Sequence, residues 1–138
     1  MYQKLLVATD ESIAADIAMK RAIELADTFG ARLHALYVVD SRLGRTTASK
    51  DPYEQAGKHA LQKCKKAAAQ NCVPLITALE EGNPAGEILE YAEKNSIDLI
   101  VLGGKNKSTP ERFFISNTAE RVVRQAPMSV LVVRDGGV

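Results

Sequence analysis

The chain has 138 residues, of which 46% are hydrophobic and 25% are charged, enough for one globular domain with a hydrophobic core. Eighteen basic against seventeen acidic residues give a net charge of +1 without a basic block, which argues against a nucleic-acid or anionic-membrane surface. No apolar run approaches the roughly 18 residues of a membrane span, and the first apolar run is too short for a signal peptide. We therefore expect a single cytoplasmic domain spanning residues 1–138.

The first part of the chain predicts a strand, a helix and a second strand. Lys4–Thr9 is a short apolar run followed by acids, which is typical of a strand buried on both faces of a parallel sheet. Asp10 or Ser12 then caps a helix that Gly30 ends, and Ala31–Val39 forms the second strand. The apolar stripe predicted for this helix consists of Ala15, Ala18, Ala22, Leu25 and Phe29.

The middle of the chain predicts a loop, a helix and an edge strand. Residues 41–51 are polar and lack a hydrophobic period, so we expect a loop there. Pro52 suits the first turn of a helix that ends near Asn71. Val73–Leu79 forms a weaker strand, and Pro74 near its start indicates the edge of a sheet.

The last part predicts two more helix and strand pairs. A helix over residues 85–95 is followed by a strand at Ile97–Leu102, and a helix that starts at Asn117 or Thr118 and buries residues such as Val123 precedes a final strand at Ser129–Val133. Strict alternation of strands and helices predicts an α/β fold, a three-layer sandwich around a five-stranded parallel sheet. Ligands of such sheets bind beyond the carboxyl ends of the strands.

The segment from Gly103 to Thr118 is the best candidate for a binding site. A buried strand ends in glycines, continues into cations and hydroxyls, and enters a helix whose first N–H groups are unpaired. Such a segment is able to hold a phosphate. The alternative is structural, because Asn117 and Glu120 form a capping-box-like helix start without any ligand. The side chains that favour an anion are Lys105, Lys107, Ser108, Thr109, Asn117 and Thr118.

The last strand indicates self-association. It is apolar at nearly every position, and no helix follows it in the sequence. Because an exposed apolar edge invites pairing with another chain, we expect a homodimer formed through Val130 to Val133. The alternative is that the helices of the same chain bury this strand.

Catalysis and metal binding have little support in the sequence. Cys64 and Cys72 are not arranged as metal ligands, and His34 and His59 are best explained as structural residues. Enzymes of related folds carry motifs that this chain lacks: TDES follows the first strand where a pyrophosphatase-type loop needs S-G-G-x-D-S, and neither HIGH nor KMSKS occurs. We expect a protein that is not an enzyme and holds no metal.

Three segments carry a resemblance to a known family: KLLVATDES, GNPAGEILEYAEKNSIDLIVLG and NTAERVVRQAPMSVLVVR. With them the chain resembles the universal stress protein family along its whole length. The resemblance implies a five-stranded, Rossmann-like fold of the adenine-nucleotide α-hydrolase type with strand order 3-2-1-4-5, commonly dimeric through the last strand. It also implies a role in stress resistance. Some members of the family bind ATP and others do not.

Members that bind ATP carry the signature G-x2-G-x9-G followed by Ser or Thr. In this chain the four positions hold Gly103, Asn106, Ser116 and Asn117, so only the first matches. Glycines serve there because a backbone without Cβ can approach phosphates and adopt positive φ. The departure leaves two hypotheses open. The protein either binds ATP or a related adenine nucleotide in an altered loop, or it is a dimeric interaction module with a degenerate site.

The resemblance also implies where a nucleotide would lie. Ala8, Thr9 and Asp10 would face the ribose and adenine, and Val39 would lie near the base. Asp10 is equally explained as an acid at a helix start. The full set of candidate ligand residues is Ala8, Thr9, Asp10, Val39, Gly103, Lys105, Asn106, Ser116, Asn117 and Thr118.

Overall fold

The computed structural model describes residues 1–41, 47–106 and 117–135, and strands and helices alternate along them. The elements are β1 Lys4–Thr9, α1 Ile13–Phe29, β2 Arg32–Asp40, α2 Thr47–Gln70, β3 Leu75–Gly82, α3 Pro84–Lys94, β4 Leu99–Asn106, α4 Asn117–Gln125 and β5 Ser129–Asp135.

The strands form one parallel sheet in the order β3-β2-β1-β4-β5, which confirms the predicted topology. β1 pairs with β2 as far as Thr9 opposite Tyr37, whereas its pairing with β4 ends at Val7 opposite Val101. β2 and β3 follow one another on one side of β1, whereas β4 and β5 follow one another on its other side. The direction of strand order therefore reverses between β1 and β4, and this is the switch point of the sheet.

Both faces of the sheet are covered, which explains the nearly continuous apolar strands. Leu5 and Val7 face the side that α1 and α2 cover, and Leu6 faces the side of α3 and α4. All three side chains are fully buried. Each buried side chain of this size contributes about 1.5–3 kcal/mol relative to an exposed one, so the two cores fix the helices against the sheet.

Helix α1 has a well-defined start and end. Ser12 is its N-cap, and its Oγ accepts a hydrogen bond of 3.0 Å from the backbone N–H of Ala15. Asp10, the alternative cap in the prediction, instead accepts a 3.0 Å hydrogen bond from the N–H of Ser12. Gly30 ends the helix in the left-handed conformation (φ 63°, ψ 36°), as predicted.

Two predicted boundaries were wrong. Helix α2 begins at Thr47 rather than Pro52, so part of the predicted loop is helical and the proline lies inside the helix. Pro52 removes a single backbone hydrogen bond there, and residues 47–50 contain no further glycine or proline that would stop the helix. Strand β4 continues through Gly103 to Asn106, because its pairing with β5 extends to Asn106 opposite Asp135 after an irregularity in register.

Two residues predicted to be buried are partly exposed. Phe29 is 37% exposed because it is the last residue of α1, where its ring contacts the edge of Tyr2 at a centroid distance of 5.6 Å. Val123 is 46% exposed because Ala119 and Val122 face the sheet from α4.

Cys64 is buried on the sheet-facing side of α2, and Cys72 is exposed just after this helix. Across the described ranges, no helix combines the length and the hydropathy that crossing a membrane requires.

Candidate functional site

A cavity of about 330 Å³ opens at the carboxyl ends of β1 and β2, beside β4. It lies where β1 and β4 are no longer paired, which is the switch point of the sheet and the usual ligand position in such folds. The first residues of α1, α3 and α4 complete the wall. The described lining residues are Ala8, Thr9, Asp10, Ser12, Ala15, Tyr37, Val38, Val39, Asp40, Tyr53, Pro84, Ile88, Leu102, Gly103, Thr118 and Ala119.

The turn after β1 is held by its own side chains. The Asp10 carboxylate accepts from the N–H of Ser12 at 3.0 Å, and Thr9 Oγ1 accepts a longer bond of 3.4 Å from the N–H of Glu11. Glu11 has a positive φ of 66°, which is uncommon for a residue other than glycine. Asp10 therefore shapes the turn at the cavity wall. Its carboxylate uses Oδ1 for this bond, and a carboxylate can accept several hydrogen bonds.

Gly103 lines the cavity, and it also allows β4 to approach the start of α1. A Cβ built on Gly103 would lie 2.5 Å from the carbonyl oxygen of Ala14 and 3.0 Å from the Cβ of Ala14. Real side chains do not come so close, so only glycine fits here without a shift of the helix. The glycine that matches the ATP signature is thus required by packing, whether or not a phosphate binds.

Two carboxylates lie on the described wall of the cavity. Among the described lining residues, the charged ones are Asp10 and Asp40. Burial raises the pKa of the Tyr37 hydroxyl, and the charges of Glu11 and Asp10 raise it further. A neutral base and a ribose suit such a wall better than a phosphate, because carboxylates repel anions and accept hydrogen bonds from hydroxyl groups.

Helices α3 and α4 are joined at the rim of the cavity. The Asn83 side chain caps α3 by accepting from the N–H of Gly86 at 3.0 Å, and the same oxygen accepts from Nη1 of Arg121 at 2.9 Å. Asn83 precedes Pro84, and Arg121 lies one turn after Thr118. Pro84 and Thr118 both line the cavity, so the contact between Asn83 and Arg121 fixes the relative position of two of its walls.

The structure brings together most of the predicted ligand residues that it describes. Six of them line the cavity, whereas Asn117 is exposed as the first residue of α4. The side chains of Lys105 and Asn106, and all of Lys107, Ser108, Thr109 and Ser116, lie outside the described residues. The six lining residues are Ala8, Thr9, Asp10, Val39, Gly103 and Thr118.

Sequence reasoning missed several wall residues. Tyr37 and Tyr53 come from β2 and α2, and Ile88 comes from α3. Each has an ordinary apolar or aromatic pattern in its own element, so its sequence alone gives no sign of a site. For Tyr37 the available signal was its position in the strand. It lies two residues before Val39, near the carboxyl end of β2 where ligands bind.

Metal ligands are not assembled in the described part of the chain. Residues 1–41, 47–106 and 117–135 contain no group of three or more His, Cys, Asp or Glu side chains placed to hold a metal ion.

A doubly wound parallel α/β protein with a cavity at its switch point is the class that this fold and site define. The sequence model of the universal stress protein family matches residues 1–134. The chain therefore belongs to the universal stress protein family. A universal stress protein of Methanocaldococcus jannaschii is 38% identical over 141 residues, which cover 97% of this chain and 83% of that protein.

Solved structures share the fold. The universal stress protein UspA from Lactobacillus plantarum has a TM-score of 0.81 at 34% identity, covering 96% of this chain and 98% of its own. Two more distant structures are complexes. The universal stress protein from Archaeoglobus fulgidus with dAMP has a TM-score of 0.76 at 21% identity, covering 95% of this chain and 97% of that one. Another, with cAMP, has a TM-score of 0.75 at 22% identity, covering 96% and 97%.

Proposed function

We propose that this chain is a stress-response protein of the cytoplasm that binds an adenine nucleotide in the cavity between β1, β2 and β4. The observation that supports this most is the cavity itself, which lies at the switch point and is lined by Ala8, Thr9, Asp10 and Val39. Its volume of about 330 Å³ falls within the usual range for small-molecule sites. Complexes of universal stress proteins with dAMP and cAMP support the class of ligand.

The wall favours a particular orientation of the nucleotide. Adenine would pack between apolar side chains such as Val39 and Ile88, and a ribose hydroxyl would donate to Asp10. The phosphates would point away from Asp10, toward the segment that joins β4 to α4. Gly103 and Thr118, on either side of that segment in sequence, both line the cavity. Lys105 and Lys107 are the cations that we propose to hold the phosphates, in place of the missing glycines.

We propose binding without catalysis. General acid or base catalysis needs a titratable group within hydrogen-bond reach of the reacting atoms, and histidine is the commonest such group. His34 is buried under α3 near the start of β2, at the end of the strand away from the cavity. His59 is exposed on α2 and does not line the cavity.

A second candidate is a dimeric interaction module with a degenerate site. Two observations favour it. Gly103 is explained by its packing on Ala14, and Asp10 by its hydrogen bond to Ser12, so neither requires a nucleotide. The dimer would form through Val130 to Val133 of β5, an edge strand on which Val130, Leu131 and Val132 are only half-buried.

Calorimetry on nucleotide-free protein tests the proposed function. After denaturing a sample to identify any adenine nucleotide carried through purification, stripped protein is titrated with AMP, cAMP and ATP. Thr118→Phe, which places a ring at the cavity wall, should weaken binding by about tenfold or more, a loss of at least about 1.4 kcal/mol. Thr28→Phe near the far end of α1 is the matched control and should bind normally. No heat with any of the three nucleotides would leave the interaction module as the better account.

Restoring the signature glycines separates the two candidates further. If the site is degenerate, Asn106→Gly with Ser116→Gly should create ATP binding that the natural chain lacks. If the natural chain already binds through Lys105 and Lys107, the double change should leave the affinity for ATP close to its original value.

A further inference from the structure

Five cationic or titratable side chains form a compact array on the outer face of α2. We call Lys58, His59, Lys63, Lys65 and Lys66 the basic patch, and all five are exposed. Lys58 and Lys65 lie on one row of the helix surface and His59, Lys63 and Lys66 on the next, because residues three and four apart are neighbours. The array extends about 12 Å along the helix axis at 1.5 Å per residue.

The lysines of the basic patch form no ion pair within 4.0 Å with a described carboxylate, although Glu54 lies one turn before Lys58 and Asp16 lines the same cavity as Lys63. The ion pairs among described side chains include Arg21 with Glu24 at 3.1 Å and Arg124 with Glu120 at 3.1 Å, both within single helices. None of the described carboxylates forms such a pair with a lysine of the basic patch. The balanced composition of the whole chain conceals this local excess of positive charge, because no Asp or Glu occurs between Glu54 and Glu80 in the sequence.

A patch of opposite sign lies at the end of β3 and on α3. We call Glu80, Glu87 and Glu90 the acidic patch; Glu80 and Glu90 are exposed and Glu87 is half-buried. Burial raises the pKa of Glu87, and the neighbouring charges of Glu90 and Glu80 raise it further, while Lys94 opposes them. Lys94 lies at 4.0 Å from Glu90, which is a long ion pair between exposed groups. The three carboxylates therefore repel one another in the isolated molecule.

The two patches cannot meet within one molecule. Buried residues of α2, such as Leu61 and Cys64, belong to the core on one face of the sheet, whereas Ile88 and Ala92 of α3 belong to the core on the other. The outward-facing sides of these helices therefore point away from opposite faces of the sheet.

We propose that the basic patch of one molecule docks on the acidic patch of a second copy of this chain. Both halves of the contact are present on the same chain, and the net charge of +1 gives whole molecules little long-range repulsion. Contact between the patches would pair the lysines and relieve the repulsion among Glu80, Glu87 and Glu90. Because the two surfaces differ, the contact is heterologous and adds molecules head to tail.

This contact is separate from nucleotide binding and from the edge of β5. Pairs of exposed charges contribute little individually and are screened by salt, so the association is weak and favoured at low ionic strength. Pairing through apolar β5 would be far less sensitive to salt. Salt dependence therefore distinguishes the two modes of assembly.

Sedimentation velocity over a range of protein concentrations tests the proposal. Salt is varied between about 0.01 M and about 1 M, across which the screening length falls from about 30 Å to about 3 Å. At low salt the natural chain should form larger species than it forms at high salt. Lys65→Glu with Lys66→Glu should abolish this association, and so should Glu80→Lys with Glu90→Lys.

Matched controls change the same charges elsewhere. Arg21→Glu with Arg124→Glu, and Glu24→Lys with Asp27→Lys, alter the net charge as the patch variants do but should still associate at low salt. Circular dichroism checks that each variant is folded. The proposal is overturned if the natural chain shows no salt-dependent association, or if reversal of the acidic patch has no effect. Loss on reversal of the basic patch alone would place its partner surface elsewhere on the second copy and would rule out the acidic patch.

Discussion

Nδ1 of His34 lies 2.8 Å from the hydroxyl oxygen of Tyr91, and this hydrogen bond joins β2 to α3 beneath the helix. The two rings also make an edge contact at a centroid distance of 5.6 Å. His34 is only 6% exposed, so water does not readily replace the tyrosine hydroxyl as its partner. The pair explains why a histidine occupies a position where the alternation of the strand calls for a buried residue.

Tyr91→Phe should destabilise the protein. It removes the hydroxyl and leaves Nδ1 of buried His34 without its partner, at a cost of about 1–3 kcal/mol in the free energy of unfolding. Urea denaturation measures the change. Tyr2→Phe is the control, since its hydroxyl bonds to Ser129 Oγ at 3.1 Å near the surface and should matter less. If Tyr91→Phe lost no more unfolding free energy than Tyr2→Phe, the buried contact with His34 would stabilise the protein no more than a hydrogen bond near the surface.

Stability should fall in mild acid because of His34. Burial, followed by the charges of Lys4 and Arg32, holds the pKa of His34 below its ordinary value of 6.5. As the pH falls, the unfolded chain therefore takes up a proton at His34 before the folded chain does, which favours unfolding. The stability that neutral His34 provides is complete above about pH 6.5 and declines until the pH passes the folded pKa.

Urea denaturation at a series of pH values checks this expectation. In His34→Gln, which cannot titrate at this position, the decline between neutral pH and about pH 5 should be shallower than in the natural chain. The comparison cancels the contribution of other groups, such as Glu87. Identical pH profiles would mean that His34 does not carry the effect.

Gly103→Ala should destabilise the fold even without nucleotide. The new Cβ would lie 2.5 Å from the carbonyl oxygen of Ala14, so the start of α1 must move away from β4, at a cost of about 1–3 kcal/mol. In Gly104→Ala the nearest atom is Cγ1 of Val132 at 3.2 Å, a side-chain atom that can shift more easily. In the Gly103→Ala variant the midpoint temperature of thermal unfolding should be well below that of Gly104→Ala. The reverse order would contradict the packing explanation.

Asn83→Ala should loosen the rim of the cavity. It removes the N-cap of α3 and the acceptor of Arg121, for a loss of about 1–2 kcal/mol in unfolding free energy. Asn83→Ser restores a good cap but is too short to keep the same contact with Arg121, so it should recover most of that stability. Chemical denaturation of both variants decides the matter; if serine were no better than alanine, capping would not be the role of Asn83.

Periodicity and composition predicted the fold because each strand of a doubly covered sheet must be apolar on both faces. A separate rule, the edge preference of proline, predicted β3 as an edge strand from Pro74, and the strand order that fixes the switch point came from the family resemblance. The cavity was harder to predict. Tyr37, Tyr53 and Ile88 meet there only because three separate elements converge.

Roles at the site also depend on distances that a sequence does not contain. Gly103 matches a phosphate-binding signature, yet its contact with Ala14 from another element is what excludes a side chain. The start of α2 was misplaced because a proline rule outweighed five residues that are able to extend the helix. For Gly103 the deciding contact comes from a residue distant in sequence. For α2 the deciding factor is the weak helix preference of several residues, which a single proline does not cancel.

Nuclear magnetic resonance with isotope-labelled protein tests the central claim most directly, because it reports both whether a nucleotide binds and where. On titration with AMP, we expect the largest amide shifts at Ala8, Val39, Gly103 and Thr118, saturating together with one dissociation constant. Cavity variant Thr118→Phe should suppress them. Shifts confined to the basic patch of α2, or no shifts at millimolar AMP, would contradict nucleotide binding at the switch point of this sheet.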